Sequence, residues 1–593
     1  MCGGPLFAEA EGCIQFACQI TSMPQSNHRQ ELTALSITET LLDGRAPVAE
    51  DFAGKKVGLE DIETTMSPLV QKRRQPEKEL KMGPYDYPPV IPPTHSNRTI
   101  VLCFDGTGDQ FDADNSNVVQ LVSLLKKDDR SKQMVYYQSG IGTYTSAKIA
   151  TPIRAQFRKI LDKMFASSIH AHVMGGYEYL MQNYQFGDKI CIFGFSRGAY
   201  TARSLAGMLH KVGLLPPFNA EQIPFAYRMY LNDDKAGWDQ SNEFKEAFSI
   251  NVDIEFLGVW DTVDSIGVIP SKPAPFSTSN SLINTFRHAV SLDERRAKFK
   301  ANLWHYPTED EEKRGLPGPC AGTQPSDANY NKAEAEKVLD DDEAQSIFER
   351  THSQMGKKKT DVLEVWFAGC HCDVGGGSVS NRERHSLARI PLRWMVREIF
   401  KANTGMLFIS EKLFAIGMHP STLFPLVLPR PDPRPVGDHK IRMHPEKEIP
   451  IRRHSILWWK NKRLTRGDAC KPIDRGVDTF LGTEEEEELM DALSPKYDQL
   501  KRNKWWLVVE YMWLHLRWEG DRGPVEKFKR NRKAPRYIRR QDTDGVQIHR
   551  SVQLRMQAEF ESPKKQRRGK KYKPQAIIHK NVKPTWADLE PEA

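Results

Sequence analysis

The stretch at residues 188–203 constrains the fold of this 593-residue chain more than any other. An apolar run at residues 190–195 has the length and composition of a buried parallel strand. The run leads into Gly-Phe-Ser-Arg-Gly, with Ser196 at the centre. Apolar residues then recur at positions 202, 205, 206 and 209, which is helical spacing. The pattern predicts a strand, a tight turn that carries one serine, and a helix.

Glycines flank this serine on both sides. Gly194 and Gly198 have no Cβ, which lets the strand and the helix approach closely around the turn. Ser196 is then expected in a strained backbone conformation, with its hydroxyl raised above the sheet and the helix N-terminus behind it. Such a turn is the nucleophile elbow of α/β-hydrolases. The pentapeptide alone is weak evidence because glycine and serine are common residues, so its meaning depends on partners elsewhere in the chain.

Strands and helices alternate before the elbow. Apolar runs at residues 99–104 and 133–137 predict strands, and residues 117–125 and 168–184 predict helices. Alternation of this kind is typical of a mostly parallel sheet with helices on both faces. The sequence therefore predicts the α/β class, with an α/β-hydrolase-like fold.

Two later strands are expected at residues 254–260 and 362–367, and each leads to a polar residue. Asp261 directly follows the first strand, and His371 lies shortly after the second. In an open α/β sheet, functional groups gather at the carboxyl ends of the strands. With Ser196, these residues occur in the order Ser, Asp, His, which is the order of the hydrolase fold.

The chemistry of ester cleavage requires all three residue types. A serine hydroxyl is a weak nucleophile, so a histidine must take its proton and later return it to the leaving group. A carboxylate must fix the histidine tautomer and stabilise the imidazolium. The sequence predicts Ser196, Asp261 and His371 as the catalytic residues, with Asp264 and Asp373 as rival carboxylates.

The loop after the first strand, residues 105–108, has several interpretations. The backbone N–H groups of Gly106 and Thr107, with that of Arg197, would form an oxyanion hole. The loop also resembles the first motif of haloacid-dehalogenase-type phosphatases, but Cys103 replaces their nucleophilic aspartate. A calcium loop is a third interpretation, although the spacing of the acidic residues does not fit an EF-hand. An Asp-rich turn that caps its own backbone is the fourth.

The nine cysteines favour reduced thiols over a disulfide framework, because the count is odd and Cys103 and Cys191 lie inside predicted core strands. The segment Cys-His-Cys at 370–372 suggests zinc. Adjacent ligands cannot all reach one tetrahedral ion, however, and no second pair at suitable spacing is present. We therefore expect no metal and no cofactor.

The chain shows no secretory signal and no run of 18 apolar residues. A cytoplasmic location is expected. The basic block at residues 564–571 leaves a nuclear location open.

Composition divides the chain into segments. Residues 1–95 end in a Pro-rich run and are expected to form a flexible N-terminal extension. The catalytic domain is expected at 96–420, with a mobile insertion at 306–360 that is rich in charge and poor in apolar residues. C-terminal helical and aromatic elements are expected at 421–520, and a basic tail at 521–593.

The C-terminal segments suggest partners. Residues 505–518 are the most aromatic stretch of the chain and would either pack against the catalytic domain or insert into a membrane interface. The basic block at 564–571 suits an anionic lipid surface, nucleic acid, nuclear import or a solvated tail. We expect an anionic membrane surface as a candidate partner and no specific nucleic acid.

Six short blocks resemble, in order, the signatures of one family. The blocks are Phe-Asp-Gly-Thr-Gly (104–108), Asn-Val (117–118), Gly-Phe-Ser-Arg-Gly-Ala-Tyr (194–200), Val-Trp-Asp-Thr-Val (259–263), His-Ala-Val-Ser-Leu-Asp-Glu-Arg-Arg (288–296) and His-Cys-Asp-Val-Gly-Gly-Gly (371–377). The family is an uncharacterised α/β-hydrolase family, common in fungi, that includes the catalytic domain of bacterial type VI secretion phospholipase effectors. The resemblance spans roughly residues 98–403.

This resemblance implies a serine hydrolase with Ser196, Asp261 and His371 as the triad. By analogy with the bacterial members it also implies a lipid acyl ester as substrate. We expect cleavage of a carboxylic ester, of a lipid or phospholipid, through an acyl-enzyme. The alternative is a binding protein on a hydrolase scaffold, recruited to membrane or nucleic acid through its basic C-terminal segment. Residues 293–296 have no catalytic role that can be derived, and a salt-bridge cluster is the simpler interpretation.

Overall fold

The computed structural model describes a large part of the chain, all of it within the compact unit Lys78–Ala593. The described residues are 87–107, 109–140, 154–232, 234–263, 274–305, 359–443, 480–503, 505–520, 523–538, 546–561, 569–579 and 584–588. The expectations for residues 1–86 and 306–358 lie outside these ranges. Among the described residues, no helix combines the length and the apolar character needed to cross a membrane.

Strands and helices alternate along the first half of the described chain. The strands are β1 (Val90–Ile91), β2 (Thr99–Phe104), β3 (Gln133–Gln138), β4 (Lys189–Phe195), β5 (Ile254–Trp260), β6 (Ile283–Ser291), β7 (Asp361–Phe367), β8 (Phe408–Ile409), β9 (Leu514–Gly520), β10 (Gly523–Lys529), β11 (Tyr537–Ile538), β12 (Val546–His549), β13 (Ile577–Ile578) and β14 (Pro584–Ala587). The α-helices are α1 (Asn117–Leu124), α2 (Arg154–Asn183), α3 (Arg197–Val212), α4 (Ile223–Leu231), α5 (Lys235–Phe248), α6 (His371–Gly375), α7 (Arg389–Lys401), α8 (Ser410–Leu413), α9 (Glu484–Ala492), α10 (Gln499–Arg502), α11 (Trp505–Tyr511) and α12 (Ser551–Gln557). Short 3-10 turns lie at Ala220–Gln222, Phe414–Ile416 and Pro420–Thr422.

One eight-stranded sheet organises the unit, in the order β14-β12-β7-β6-β5-β4-β2-β3. Every pairing in it is parallel. Strand β2 is buried on both faces: Ile100 and Leu102 belong to one apolar cluster, and Val101 and Cys103 to another. Because both faces are covered, the strand is a continuous apolar run without polar alternation. The predicted fold class, α/β-hydrolase-like with a mostly parallel sheet, is confirmed.

Strand β6 was not expected from the sequence because charged side chains interrupt its apolar pattern. Arg287 is buried but pairs with Glu398 at 2.6 Å and with Asp361 at 2.7 Å. His288 is fully buried and pairs with Glu364 at 2.8 Å. These partners offset the cost of burying polar groups, so a strand forms where periodicity predicts none.

Part of the segment predicted as a basic tail belongs to the central sheet. Strand β12 pairs with β7 on one side and with β14 on the other. Val546 and Ile548 of β12 are buried. Two of the eight strands therefore come from residues 521–593. Their apolar segments are short and lie among many Lys and Arg residues, so the composition of the segment did not predict them.

The end of the predicted flexible extension is also packed. Strand β1 pairs antiparallel with β8, through Val90 with Ile409 and Ile91 with Phe408. The side chain of Ile91 is fully buried. The expectation of a flexible extension to residue 95 is therefore wrong for its last residues, because Ile91 contributes to the apolar core.

Helix α9 consists largely of acidic residues, yet it is buried. Thr483 caps its N-terminus, and the glutamates of its first turn interact favourably with the helix dipole. Glu488 is held between Arg430 at 2.5 Å and Arg550 at 3.0 Å. Burial alone would raise the pKa of Glu488, but the neighbouring cations hold it at about 2. This carboxylate therefore stabilises the fold above the ordinary glutamate pKa, and the contribution is lost as the pH falls towards 2.

Removing the buried Arg550 should destabilise the fold strongly. The Arg550→Met variant leaves Glu485 and Glu488 without one of their cations, a type of change that costs about 3–5 kcal/mol of unfolding free energy. The matched control is Arg434→Met, because Arg434 pairs with Glu486 at 3.2 Å on the surface of the same helix. The control should cost less than about 1 kcal/mol. Urea-unfolding midpoints measure both, and equal losses would contradict the assignment of Arg550 as a buried anchor.

Candidate active site

Ser196 lies between β4 and α3, in a backbone conformation that few residues adopt. Its φ is 59° and its ψ is −121°. Strain of this kind costs on the order of 1–3 kcal/mol and persists only where the surroundings enforce it. The Ser196 N–H donates to Trp260 O at 3.0 Å, which ties the turn to the end of β5.

The two flanking glycines make this turn sterically feasible. A Cβ on Gly194 would lie 2.5 Å from Gly198 O, and a Cβ on Gly198 would lie 2.3 Å from Phe104 O. Both contacts are with backbone atoms, which cannot move aside without disturbing β2 or α3. Any side chain at either position would push the strand and the helix apart.

A continuous chain of hydrogen bonds joins Ser196, His371 and Asp261. The distance from Ser196 Oγ to His371 Nε2 is 2.8 Å, and that from His371 Nδ1 to Asp261 Oδ2 is 2.6 Å. All three side chains are buried. Because Asp261 is an acceptor, Nδ1 donates to it, and Nε2 accepts from the serine hydroxyl. The structure thus brings together the three residues that the order of the sequence suggested.

The rival carboxylate Asp373 has a different environment. It accepts N–H groups from Cys370 at 2.8 Å and from Tyr497 at 3.0 Å. Burial raises the pKa of Asp373 to about 7. It serves as a cap at the start of α6, whereas the carboxylate bonded to the imidazole is that of Asp261. The other rival, Asp264, lies outside the described residues.

Asp261 is held by two further donors. Ser291 N–H donates to Oδ1 at 2.8 Å, and Arg536 donates to Oδ1 at 2.5 Å and to Oδ2 at 3.0 Å. Burial alone would raise the pKa of Asp261, but the charge of Arg536 and the bond with His371 outweigh it. The pKa therefore lies well below its ordinary value, and the carboxylate remains ionised.

Arg536 is the residue at this site that sequence reasoning missed. Its guanidinium also donates to Phe299 O at 2.7 Å and to Ser291 O at 3.1 Å, so it is fixed from several sides. It lies in the segment predicted as a basic tail, 275 positions from Asp261. No local signal distinguishes it from the many arginines and lysines around it.

His371 is enclosed by aromatic rings and a second acidic group. The rings of Phe195 and Phe299 have centroids 4.7 Å and 4.8 Å from that of the imidazole. Burial lowers the pKa of His371, although Asp261 opposes this shift. The imidazole is therefore neutral at neutral pH and is able to accept a proton. Glu294 accepts the backbone N–H of His371 at 3.2 Å, which fixes the start of α6.

Residues 293–296 now have a defined role next to this histidine. Arg296 pairs with Glu294 through two bonds, of 3.0 Å and 2.8 Å. The guanidinium of Arg296 also lies 3.5 Å from the ring centroid of Phe299. The pair positions both the backbone and the aromatic wall of His371. A salt-bridge cluster was the simpler interpretation of the sequence, and Glu294 and Arg296 form a buried one.

A second buried histidine supports the backbone beside Asp261. His288 Nε2 accepts the N–H of Thr262 at 3.1 Å, so its Nδ1 is the nitrogen that donates to Glu364 at 2.8 Å. Burial lowers the pKa of His288, and the neutral form satisfies both bonds. The sequence gives no sign of this pairing, because its members lie on different strands.

The loop predicted to supply oxyanion donors uses one of its N–H groups in a hydrogen bond within the loop. Gly106 N–H donates to Asp105 Oδ1 at 2.8 Å, and Tyr137 OH donates to Asp105 Oδ2 at 2.7 Å. Asp105 therefore caps its own turn, as one of the four interpretations held. The N–H of Gly106 is occupied by this cap, which argues against its predicted role. Arg197 is the first residue of α3, where backbone N–H groups point out of the helix N-terminus.

Cys370 and His371 of the segment at 370–372 are engaged by protein groups. Cys370 Sγ lies 3.4 Å from Asp293 O, and both ring nitrogens of His371 are bonded to Ser196 and Asp261. Within the described residues, no group of three or more His, Cys, Asp or Glu side chains is arranged to hold a metal ion.

Removing Arg536 should change the protonation of His371. In Arg536→Gln the carboxylate of Asp261 loses its principal compensating charge. The uncompensated Asp261 carboxylate then stabilises the imidazolium of His371 more strongly. The pKa of His371 should therefore rise by about 1 or more. NMR titration of labelled histidine measures this directly. Arg532→Gln, an exposed change in the same segment, is the control. A folded Arg536→Gln protein with an unchanged His371 pKa would contradict the role assigned to Arg536.

Comparison with known proteins relates this chain to a family. The family model described as type VI secretion system, phospholipase effector Tle1-like, catalytic domain matches residues 98–398. An uncharacterized protein of Saccharomyces cerevisiae is 31% identical over 402 residues, which cover 53% of this chain and 58% of that protein.

Two solved structures are distantly similar. An uncharacterized protein from Pseudomonas aeruginosa shows 17% identity and a TM-score of 0.27, over 52% of this chain and 46% of that one. The Tle1 effector bound to the VgrG spike of the type 6 secretion system shows 18% identity and a TM-score of 0.24, over 48% and 52%. The chain thus spans about half of the length of these three relatives. Because the family model accounts for just over half of its residues, this chain belongs to the family of the Tle1-like phospholipase effector catalytic domain.

Proposed function

We propose that this protein is a serine hydrolase that cleaves carboxylic esters of lipids through Ser196, His371 and Asp261. The observation that carries the proposal is the unbroken hydrogen-bond chain from a strained serine to a buried, ionised carboxylate. Membership of a phospholipase effector family supports a lipid ester as the substrate class.

The first half of the reaction forms an acyl-enzyme. His371 Nε2 removes the proton of Ser196 Oγ as the oxygen attacks the ester carbonyl. Asp261 stabilises the imidazolium that forms and keeps the ring in the tautomer with Nδ1 protonated. The imidazolium then gives its proton to the departing alcohol. Water repeats the sequence on the acyl group and releases the carboxylic acid.

The oxyanion of the tetrahedral intermediate requires preorganised donors. We assign this role to the backbone N–H groups of Arg197 and Thr107. Arg197 begins α3 directly after the nucleophile, and Thr107 follows Asp105, whose carboxylate fixes the turn. The end of the helix dipole adds a partial positive charge at the same place.

Replacing the nucleophile should abolish ester hydrolysis without unfolding the protein. Ser196→Ala should lower kcat by about 10⁶ if the three residues act as a unit. Hydrolysis of a soluble p-nitrophenyl ester and of phospholipid vesicles provides the measurement. Ser204→Ala is the control and should retain activity, because Ser204 is a buried serine within the following helix α3. Turnover of Ser196→Ala at the wild-type rate would contradict the assignment of Ser196, whereas no hydrolysis by the folded wild type would favour the alternative of a binding protein on a hydrolase scaffold.

The identity of the acid is tested separately. Asp261→Asn should lower the rate by about 10⁴, because an amide at this position favours the wrong histidine tautomer. Asp373→Asn is the comparison, since its carboxyl group caps α6 and does not contact the imidazole of His371. Circular dichroism checks that both variants are folded. A large loss in Asp373→Asn together with a small loss in Asp261→Asn would show that the wrong carboxylate is assigned.

We also propose that the protein reaches a membrane-borne substrate through the β9–β10 ribbon. These strands pair antiparallel, with Leu514 and Leu516 buried on one face. The opposite face, called here the outer face, exposes Trp513 by 54% and Phe528 by 56%, with their rings stacked at 5.5 Å. Aromatic side chains favour the membrane–water interface.

Positive charge accompanies these aromatic rings. The guanidinium of Arg530 lies 5.2 Å from the ring centroid of Trp513. Helix α11, just before the ribbon, contacts the proposed active site: Trp506 lies 5.5 Å from Phe299, which packs on His371. Helix α11 therefore links the start of the ribbon to the aromatic wall of His371. Most of the basic block 564–571 lies outside the described residues, and its role stays a prediction.

Substitutions on the outer face should weaken membrane binding selectively. Trp513→Ser with Phe528→Ser removes the aromatic contact, and Arg530→Gln removes a charge that contributes about 1 kcal/mol near an anionic surface. Sedimentation with phosphatidylserine vesicles should show weaker binding, and turnover of a soluble ester should be unchanged. Phe186→Ser is the control, because Phe186 is an exposed phenylalanine in the turn before β4, at the end of that strand away from Ser196. Unchanged vesicle binding in the outer-face variants would exclude this docking surface.

A further inference from the structure

A cavity of about 330 Å³ lies between the inner face of the β9–β10 ribbon and the end of β7. Its volume is in the range of small-ligand sites. Leu303, Trp366, Leu516, Trp518 and Ile577 form much of its wall. Side chains of this kind favour an alkyl chain over water, since burying each methylene is favourable.

The charged groups of the cavity all have the same sign. Lys300, Lys529 and Arg536 line it, and none of the described residues that line it is acidic. Arg536 is neutralised by Asp261. Lys300 Nζ donates to Ala534 O at 2.9 Å, and Lys529 Nζ lies 3.2 Å from the ring centroid of Trp518.

The two lysines make direct contacts with uncharged groups, Ala534 O and the ring of Trp518. Neither forms a salt bridge with a carboxylate in the part of the chain that the structure describes. Burial, together with the charge of Arg536, lowers the pKa of Lys300 to about 8. An anion between these ammonium groups would offset their mutual repulsion and form charge-assisted hydrogen bonds.

We propose that this cavity binds a medium- or long-chain carboxylate, with the carboxylate between Lys300 and Lys529 and the alkyl chain along Leu516, Trp518 and Ile577. A neutral alkyl ligand would leave the cations uncompensated, and a cationic one would be repelled. A small anion would leave the apolar wall unfilled. The combination of walls and charges therefore selects a single-chain anionic amphiphile.

This cavity is separate from the proposed nucleophile. Neither Ser196 nor His371 lines it. Arg536 is the shared element, because one side of its guanidinium holds Asp261 while the residue also forms part of the cavity wall. A fatty acid is also the acid that the proposed reaction would release. That link rests on the proposed function, whereas the binding site does not.

Calorimetric titration of the full chain with decanoate tests the proposal without any turnover. Decanoate should bind, and 1-decanol and decyltrimethylammonium should bind at least about tenfold more weakly. Lys529→Gln and Lys300→Gln should each weaken decanoate binding by about tenfold and leave decanol unaffected. Lys527→Gln is the control, because Lys527 lies on the same strand, is exposed and does not line the cavity.

A second variant tests the proposal independently if the lysine variants do not fold. Ile577 is 52% exposed, so Ile577→Asp should leave the fold intact while it places a negative charge on the cavity wall. It should weaken decanoate binding more than decanol binding. The proposal is overturned if decanoate does not bind, or if decanoate and decanol bind equally in the wild type. It is also overturned if decanoate binds folded Lys529→Gln and Ile577→Asp as tightly as the control.

Discussion

The buried carboxylate of Asp261 is the point on which the rest of the site depends. It lies at the end of a central strand with no exposure to solvent, where an ionised group is very costly unless it is fully paired. His371 and Arg536 meet this requirement from opposite parts of the chain. The same bonds that keep Asp261 ionised orient the imidazole towards Ser196. Paired burial of one charge thus couples the stability of the fold to the geometry of the proposed nucleophile.

This requirement also explains why the C-terminal region is part of the fold. Strands β12 and β14 extend the central sheet beyond β7. Arg536 directly precedes β11, which pairs with β13, and Ile577 N–H donates to Arg536 O at 2.9 Å. Helix α9 fixes the same region through buried ion pairs, among them Glu488 with Arg430 and Arg550. Pairs of this kind are destabilising when one partner is missing, so they favour a single arrangement of the segments they join. Leu514 and Leu516 of the β9–β10 ribbon pack with Ala297, which directly follows Arg296.

Much of the fold and of the candidate site was predictable from the sequence, for physical reasons that individual residues illustrate. Strand β5 is observed at the predicted residues, because a strand covered on both faces is a continuous apolar run. Gly194 and Gly198 indicated the close crossing of strand and helix around Ser196. The carboxyl ends of parallel strands share one edge of the sheet, which explains why Ser196, Asp261 and His371 lie together.

What the sequence could not reveal depends on pairing between distant residues. Strand β6 was missed because Arg287 and His288 are polar, and only their partners on other elements make burial possible. Arg536 was missed because charge composition does not distinguish one paired arginine from many solvated ones. The hydrogen bond from Gly106 N–H to the Asp105 carboxylate is local in sequence. It was not predicted uniquely because several loop conformations were compatible with the same residues. In each case the deciding interaction is a specific hydrogen bond, which periodicity does not encode.

The most direct test of the central claim is the reaction of the folded protein with a fluorophosphonate, followed by mass spectrometry of its peptides. Covalent labelling requires a serine that is activated by a neighbouring base. We predict one label per chain, located on Ser196, that is absent in Ser196→Ala and forms much more slowly in His371→Ala. A folded protein that remains unlabelled, or that is labelled at another residue, would contradict the assignment of Ser196 as the nucleophile.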